Sequence, residues 1–244
     1  MKTSRSRRLP ALLSGLGAIL LIATIAGTIL SNAQETTVDQ IEAGEYLMTA
    51  DSAQPIQVEG VEVREYEGER LGSITDFREN SIKGVQYVDE ATYALAIGGL
   101  VGRPASWSYD RLLEMEHLAK LVTIHCVEGW SVKTLWEGIP LQALLEQVQP
   151  HAEANTVIFH AADGYTTSLP LELILGRNLI IADQINGIRL PPANGFPFQL
   201  VAEDKWGYKW IVRIELSNDP SYQGFWESRG FSSTGDADGS KYGE

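Results

Sequence analysis

The sequence predicts an α+β domain of mixed β-sheets with short helices. Three observations predict it. Strand-length apolar runs outnumber helical patterns, and those helical patterns are short. No strand–helix–strand rhythm recurs, as a doubly wound sheet would require. The chain carries no Gly-rich phosphate loop and no internal repeat.

In chain order, the first 33 residues stand apart. Lys2, Arg5, Arg7 and Arg8 precede 22 uncharged residues from Leu9 to Leu30, long enough to span a bilayer. The basic flank predicts that this end stays in the cytoplasm. Ser31-Asn32-Ala33 offers a cleavage site, so residues 1–33 are expected to be a signal peptide or a membrane anchor, with the domain extracytoplasmic. Ser6-Arg7-Arg8 resembles the start of a twin-arginine signal and equally suits ordinary positive flanking. Residues 34–55 read as a polar linker.

The folded domain is expected over 56–232, followed by a polar tail, 233–244. Gln57–Tyr66 alternates as a strand. Residues 67–90 form a long polar segment, either a solvated loop or a ligand-contacting one. Ala91–Val101 reads as a buried strand. Ser108 caps a helix from Tyr109 to about Leu118, with Leu112, Leu113 and Met115 inward. Lys120–Cys126 reads as the central strand. Pro140 opens a helix burying Leu141, Leu144, Leu145 and Val148. Asn155–His160 and Leu179–Asp183 read as strands around a short helix at Leu169–Leu175. Arg189–Gly195 is a rigid turn. Phe198–Ala202 and Trp210–Leu216 are strands flanking the Lys205–Lys209 turn, and everything after Ser217 reads as tail.

Without the first 33 residues and their four cations, a chain of net charge −13 becomes −17. Such a surface argues against nucleic acid and anionic lipid. One cysteine, Cys126, excludes an internal disulfide.

Cys126 follows the apolar run of Leu121, Val122 and Ile124 and opens a Gly-containing turn directly after His125. Three readings of it stay open. It can be a buried packing cysteine. It can be a nucleophile, although His125, one residue away on a strand, would point to the opposite face. It can be a single thiolate ligand to a metal whose cofactor brings the other donors; one Cys cannot build a zinc or iron–sulfur site alone. Trp130, Trp136, Trp206, Tyr208, Trp210 and Trp226 gather near turns and suit a large flat ligand, or a core. Arg78, Arg189, Lys205 and Lys209 are cations able to pair with a phosphate.

His125-Cys126-Val127-Glu128-Gly129-Trp130-Ser131 and Trp136-x-Gly138-Ile139-Pro140-Leu141 resemble the signature of sulfite-oxidase-type molybdopterin oxidoreductases. Within that family the chain is most similar to the branch holding the catalytic subunit of periplasmic methionine sulfoxide reductase. Asp163-Gly164-Tyr165, Leu190-Pro191-Pro192-x-Asn194-Gly195, Lys205-Trp206-Gly207-Tyr208-Lys209 and Gly224-Phe225-Trp226-Glu227 extend the likeness from about Val61 to Ser232. The resemblance implies a sulfite-oxidase-like molybdopterin-binding domain with Cys126 as the molybdenum ligand and His125 at the mouth of the site. It implies cofactor contacts from Arg78, Glu79, Asn80, Asp163, Asn194, Lys205, Tyr208, Lys209 and Trp210. Three departures touch the cofactor end. Gln199 stands where the family often has Arg, Ala161 where relatives have Thr, and the Lys beyond the Gly-Tyr-Lys turn is missing.

The resemblance further implies two-electron oxygen-atom transfer on a small or sulfoxide-type substrate, with sulfite oxidation second. These residues show no haem motif and no dimerisation domain, so a separate redox partner, such as a membrane cytochrome or quinol system, and a monomer are expected. The alternative is a non-catalytic extracytoplasmic binding module with a buried, structural Cys126.

Overall fold

The computed structural model describes residues 61–126, 129–203, 205, 207–232 and 242. The expected leader or anchor, the linker, residues 56–60 and all of the tail except Tyr242 lie outside them. Among the described residues no helix is long and apolar enough to cross a membrane.

Two five-stranded sheets carry the fold. In the first, β5 (Leu118–His125) pairs with β6 (Ser131–Pro140), β6 with β9 (Ile180–Ile185), and the far edge of β9 with β10 (Ile188–Arg189) and β11 (Gln199–Val201). Every pairing here is antiparallel. The second sheet has the order β4-β3-β12-β7-β8, from Ala105–Ser108, Ala94–Gly99, Ile211–Ser217, Thr156–Ala161 and Thr166–Pro170. Its β3–β12 pairing is parallel and joins distant parts of the chain. So only the second sheet is mixed. One apolar core holds side chains of both, with Trp136, Phe159, Phe198 and Tyr93 among the largest fully buried.

The strand expected centrally at Lys120–Cys126 is β5, which among the described residues stands at a sheet edge, paired with β6 alone. β6 is the interior strand, and the turn-rich reading of its start hid it. Val132, Thr134 and Trp136 alternate inward; Leu135 and Ile139 are buried as well, as befits a strand covered on both faces. The helix after Ser108 stops at Leu113, which is 40 % exposed, and β5 begins at Leu118 instead. Leu169 belongs to β8, and the helix there runs Leu171–Arg177. The helix Leu141–Val148 buries all four leucine and valine positions expected of it.

At the start of the domain, only a two-residue hairpin pairs, β1 (Glu65–Tyr66) with β2 (Glu69–Arg70). At its end, residues 217–232 pack rather than trail. Phe225 N donates to Thr166 O at 2.8 Å, and Gly224 lies where a Cβ would come 2.1 Å from that same oxygen.

Strands β6 and β9 approach closely at Gly138, beside a register shift. A Cβ there would lie 2.2 Å from Ile181 O and 2.4 Å from Ala182 Cα. Backbone cannot retreat as a side-chain tip can. Gly138→Ala is therefore expected to lower stability by about 2 kcal/mol in thermal unfolding. Gly98→Ala, with nothing within 4 Å of its Cβ position, should leave the melting temperature nearly unchanged.

Candidate functional site

The site begins at the hairpin joining β5 to β6. β5 ends at His125, and Cys126 enters a turn in which Gly129 N donates to Cys126 O at 2.9 Å. Cys126 N in turn donates to Trp130 O at 3.0 Å. Gly129 adopts φ +86°, a conformation that glycine reaches without strain. The turn holds the Cys126 side chain nearly buried against one end of the first sheet.

The polar segment 67–90 folds over this turn, which decides between its two readings: it walls a cavity. Three of the contacts that hold it matter most for the cavity. Asn186, fully buried, donates Nδ2 to Gly72 O at 2.9 Å and accepts from Leu135 N at 3.0 Å. Phe77 packs edge-on against Trp130 and Trp136, with centroids 5.7 and 6.0 Å away. Asp163, 2 % exposed, accepts from Ile82 N at 3.3 Å and from Tyr165 N at 2.9 Å. A hydrogen bond to a charged group contributes about 1.5–3 kcal/mol, against about 0–1 kcal/mol for an exposed ion pair such as Lys133–Glu69. The buried carboxylate is thus the stronger tie.

So anchored, the segment brings Asn80 Nδ2 to 3.0 Å from Cys126 Sγ, donating to the sulfur. Cys126, His125, Arg78, Asn80, Asp163, Asn194, Tyr208, Lys209 and Trp210 all line one cavity. His125 and Cys126 share it because strand alternation ends at His125. His125 Nδ1 lies 2.8 Å from Ser131 Oγ. Trp136 is core, fully buried. Trp206 lies outside the described residues.

Two expected residues sit differently. Glu79 is not on the cavity wall; its carboxylate accepts from Lys209 Nζ at 2.9 Å. Burial raises the Glu79 carboxyl, but hydrogen bonds from Ser81 and Lys209 outweigh that and hold it below its ordinary value. Lys205 is buried and lines a separate depression with Leu171 and Tyr222. Lys209 also donates to Ala193 O at 3.1 Å, so its charge is already engaged. Arg78 makes no hydrogen bond or ion pair among the described residues, which leaves it as the cavity's uncommitted cation.

Four further residues form the wall. Ser81 Oγ is buried without a hydrogen-bond partner among the described residues. Gln199 is 4 % exposed and presses on Gly207, where a Cβ would lie 2.9 Å from Gln199 Nε2. Tyr165 stacks on Tyr208 at 6.1 Å, and Trp226 closes one side. Gln199 and the family-like motifs flagged three of these positions; Ser81 carried no signal beyond following Asn80.

This donor set fits a pterin cofactor with a metal. Neutral amides at Asn80, Asn194 and Gln199 and the Ser81 hydroxyl offer hydrogen bonds to a heterocycle. Arg78 offers a charge to a phosphate, and Cys126 a soft thiolate ligand.

Residues 82–226 match the family described as oxidoreductase molybdopterin binding domain. The chain is 32 % identical over 154 residues to an uncharacterized oxidoreductase, YuiH, of Bacillus subtilis, a match spanning 62 % of this chain and 77 % of that protein. It is 33 % identical to a putative protein-methionine-sulfoxide reductase subunit, YedZ1, of Azospira oryzae, over 60 % of this chain and 57 % of that one. It is 29 % identical to the protein-methionine-sulfoxide reductase catalytic subunit MsrP of Pseudomonas syringae, over 52 % and 44 %. The matches thus span about half of these two longer relatives. The sulfane dehydrogenase SoxCD of Paracoccus pantotrophus shares the fold, with TM-score 0.54 and 21 % identity over 56 % of this chain and 41 % of that one.

The Glu79–Lys209 bond has a signed pH dependence. A carboxyl depressed in the folded state adds stability above its unfolded value, and that stability is lost as pH falls through the folded value. Wild type should therefore exceed Glu79→Gln in melting temperature at neutral pH. The gap should close in acid, beneath the ordinary carboxylate range.

Proposed function

The chain belongs to the oxidoreductase molybdopterin-binding family, and from that premise we propose that it catalyses two-electron oxygen-atom transfer at molybdenum held by Cys126. The observation that carries the reading is the Asn80–Cys126 contact at 3.0 Å inside a cavity lined with polar side chains. A thiol kept only for packing would sit among apolar side chains. This one meets an amide donor from a segment 46 residues away.

When bound, molybdopterin supplies a metal that exchanges an oxygen atom and two electrons with substrate. The residues of the chain do the rest. Cys126 Sγ ligates, and Asn80 orients that sulfur. Arg78 pairs with the cofactor's anionic end, a role in which Gln199 no longer assists as a cation would. Asn194, Gln199 and Ser81 hydrogen-bond the heterocycle. His125, oriented by Ser131, stands beside the thiolate at the mouth. Trp130, Trp226 and the Tyr165–Tyr208 stack exclude water.

The substrate we propose is an S-oxide, small or protein-borne, which is reduced; sulfite-type oxidation is the second reading. The names of the Azospira and Pseudomonas relatives support this choice. We place the domain outside the cytoplasm, anchored or released by its first 33 residues, with electrons from a membrane cytochrome or quinol system.

Holoprotein made in a host that synthesises molybdopterin should carry about one molybdenum per chain and reduce methionine sulfoxide with a reduced dye as donor. Cys126→Ser should lower turnover at least ~100-fold while the chain stays folded by circular dichroism. A folded wild-type chain with neither molybdenum nor pterin would refute the reading.

A further inference from the structure

Residues 79–82 tie three separate walls of the cavity together. Glu79 Oε2 accepts from Lys209 Nζ at 2.9 Å, which reaches the turn after β11. Asn80 Nδ2 donates to Cys126 Sγ at 3.0 Å, which reaches the β5–β6 hairpin. Ile82 N donates to Asp163 Oδ2 at 3.3 Å, which reaches the β7–β8 turn. Glu79 also folds the strap on itself, because its Oε1 accepts from Ser81 N at 2.9 Å. Each of these bonds involves a side chain. From 77 to 88 no backbone–backbone hydrogen bond occurs among the described residues. Lifting the strap therefore breaks no sheet or helix, and such segments open locally at low cost. Phe77, packed on Trp130 and Trp136, fixes its upstream end. Gly84, just downstream, sits at φ +80° with nothing within 4 Å of its Cβ position, so the backbone can swing there.

The cavity beneath the strap is about 80 Å³. A site for a cofactor is roughly 300–1,000 Å³. A pterin with its metal and anionic end is admitted only if a wall moves. The Cys126 turn and the Asn194 turn are closed by backbone bonds, Cys126 N to Trp130 O at 3.0 Å and Gly195 N to Pro192 O at 3.1 Å. The strap is closed by side chains, so it is the wall that yields.

We propose that residues 79–82 are the door through which the cofactor enters and leaves, with the Glu79–Lys209 bond as its latch. The inference rests on the molybdopterin reading above. The Glu79 side chain is 37 % exposed and that of Lys209 14 %. Water therefore reaches this bond, and it parts before the tie to the buried Asp163 carboxylate. Lys209 keeps two contacts when Glu79 leaves: Ala193 O at 3.1 Å and the face of the Trp210 ring at 4.5 Å. The lysine thus stays in place as the strap lifts. Its charge then faces the cofactor's anionic end as that end passes.

The test compares wild type, Glu79→Gln and Glu69→Gln as full-length, molybdopterin-loaded protein. Glu69 pairs with Lys133 at 3.1 Å and touches no part of the strap, so its variant controls for the loss of one carboxylate. Two quantities are followed: hydrogen exchange at the Ile82 amide, and release of pterin, read by its fluorescence in the filtrate. Ile82 is the telling amide because its acceptor, Asp163, is unaltered. Glu79→Gln should speed both exchange and release about 3- to 10-fold. Glu69→Gln should change neither. Exchange within about 1.5-fold of wild type in Glu79→Gln would overturn the latch, as would an equal rise in Glu69→Gln. Faster exchange without faster release would overturn the door. A folded wild-type chain without pterin would instead strike the cofactor reading, and Ile82 exchange would still decide the latch.

Discussion

The contact between Asn80 and Cys126 depends on a polar segment that has little reason of its own to be ordered. Residues 72–82 hold one short 3-10 turn and almost no backbone pairing. Their order is borrowed, chiefly from the Asn186 amide, the rings around Phe77 and the Asp163 carboxylate, with the Gly72–Lys133 and Glu79–Lys209 bonds beside them. Each anchor is set by a different part of the chain. Asn186 sits at φ +49° in the turn after β9, Trp130 at the start of β6, and Asp163 in the β7–β8 turn. Both sheets must therefore form before the thiol acquires its neighbours. The site is a property of the tertiary fold rather than of the Cys126 turn.

The cavity's electrostatics are more economical than the chain's composition suggests. A domain so acidic brings two lysines and an arginine toward the expected cofactor end. The structure withdraws Lys209 into a bond with Glu79 and holds Lys205 elsewhere. Gln199, neutral and buried, occupies the wall where an arginine is frequent in relatives. What remains deep in the cavity is hydrogen-bonding and neutral apart from the Asp163 carboxylate, with Arg78 toward solvent. Such a wall suits a neutral heterocycle inside and an anionic group nearer the mouth.

Much of this was legible in the sequence, and the exceptions have physical causes. The helix Leu141–Val148 was readable because its apolar spacing matches a helical face. The cofactor-like motifs were readable because short runs around turns keep their order. β6 was hidden because an interior strand buried on both faces loses simple alternation, and Gly138 and Pro140 look like breakers. β5 looked central because its apolar run is strong, yet edge position is decided by pairing that local pattern does not encode. The opposed placement of His125 and Cys126 failed where strand geometry gives way to a turn. Glu79 sits off the cavity wall because it pairs with Lys209 of a distant segment, which leaves no periodic trace, and Lys205 is buried beside a separate depression. Ser81 owes its interest to burial, which a single residue does not announce.

The central claim is that Cys126 sulfur is bonded to molybdenum in the loaded protein. Molybdenum K-edge absorption on wild type and on Cys126→Ser, both reconstituted with the cofactor, addresses that bond directly. The account predicts that the variant retains pterin but loses one sulfur neighbour from the metal's coordination shell. An unchanged sulfur count in a metal-loaded variant would contradict it and return Cys126 to the role of a packing residue.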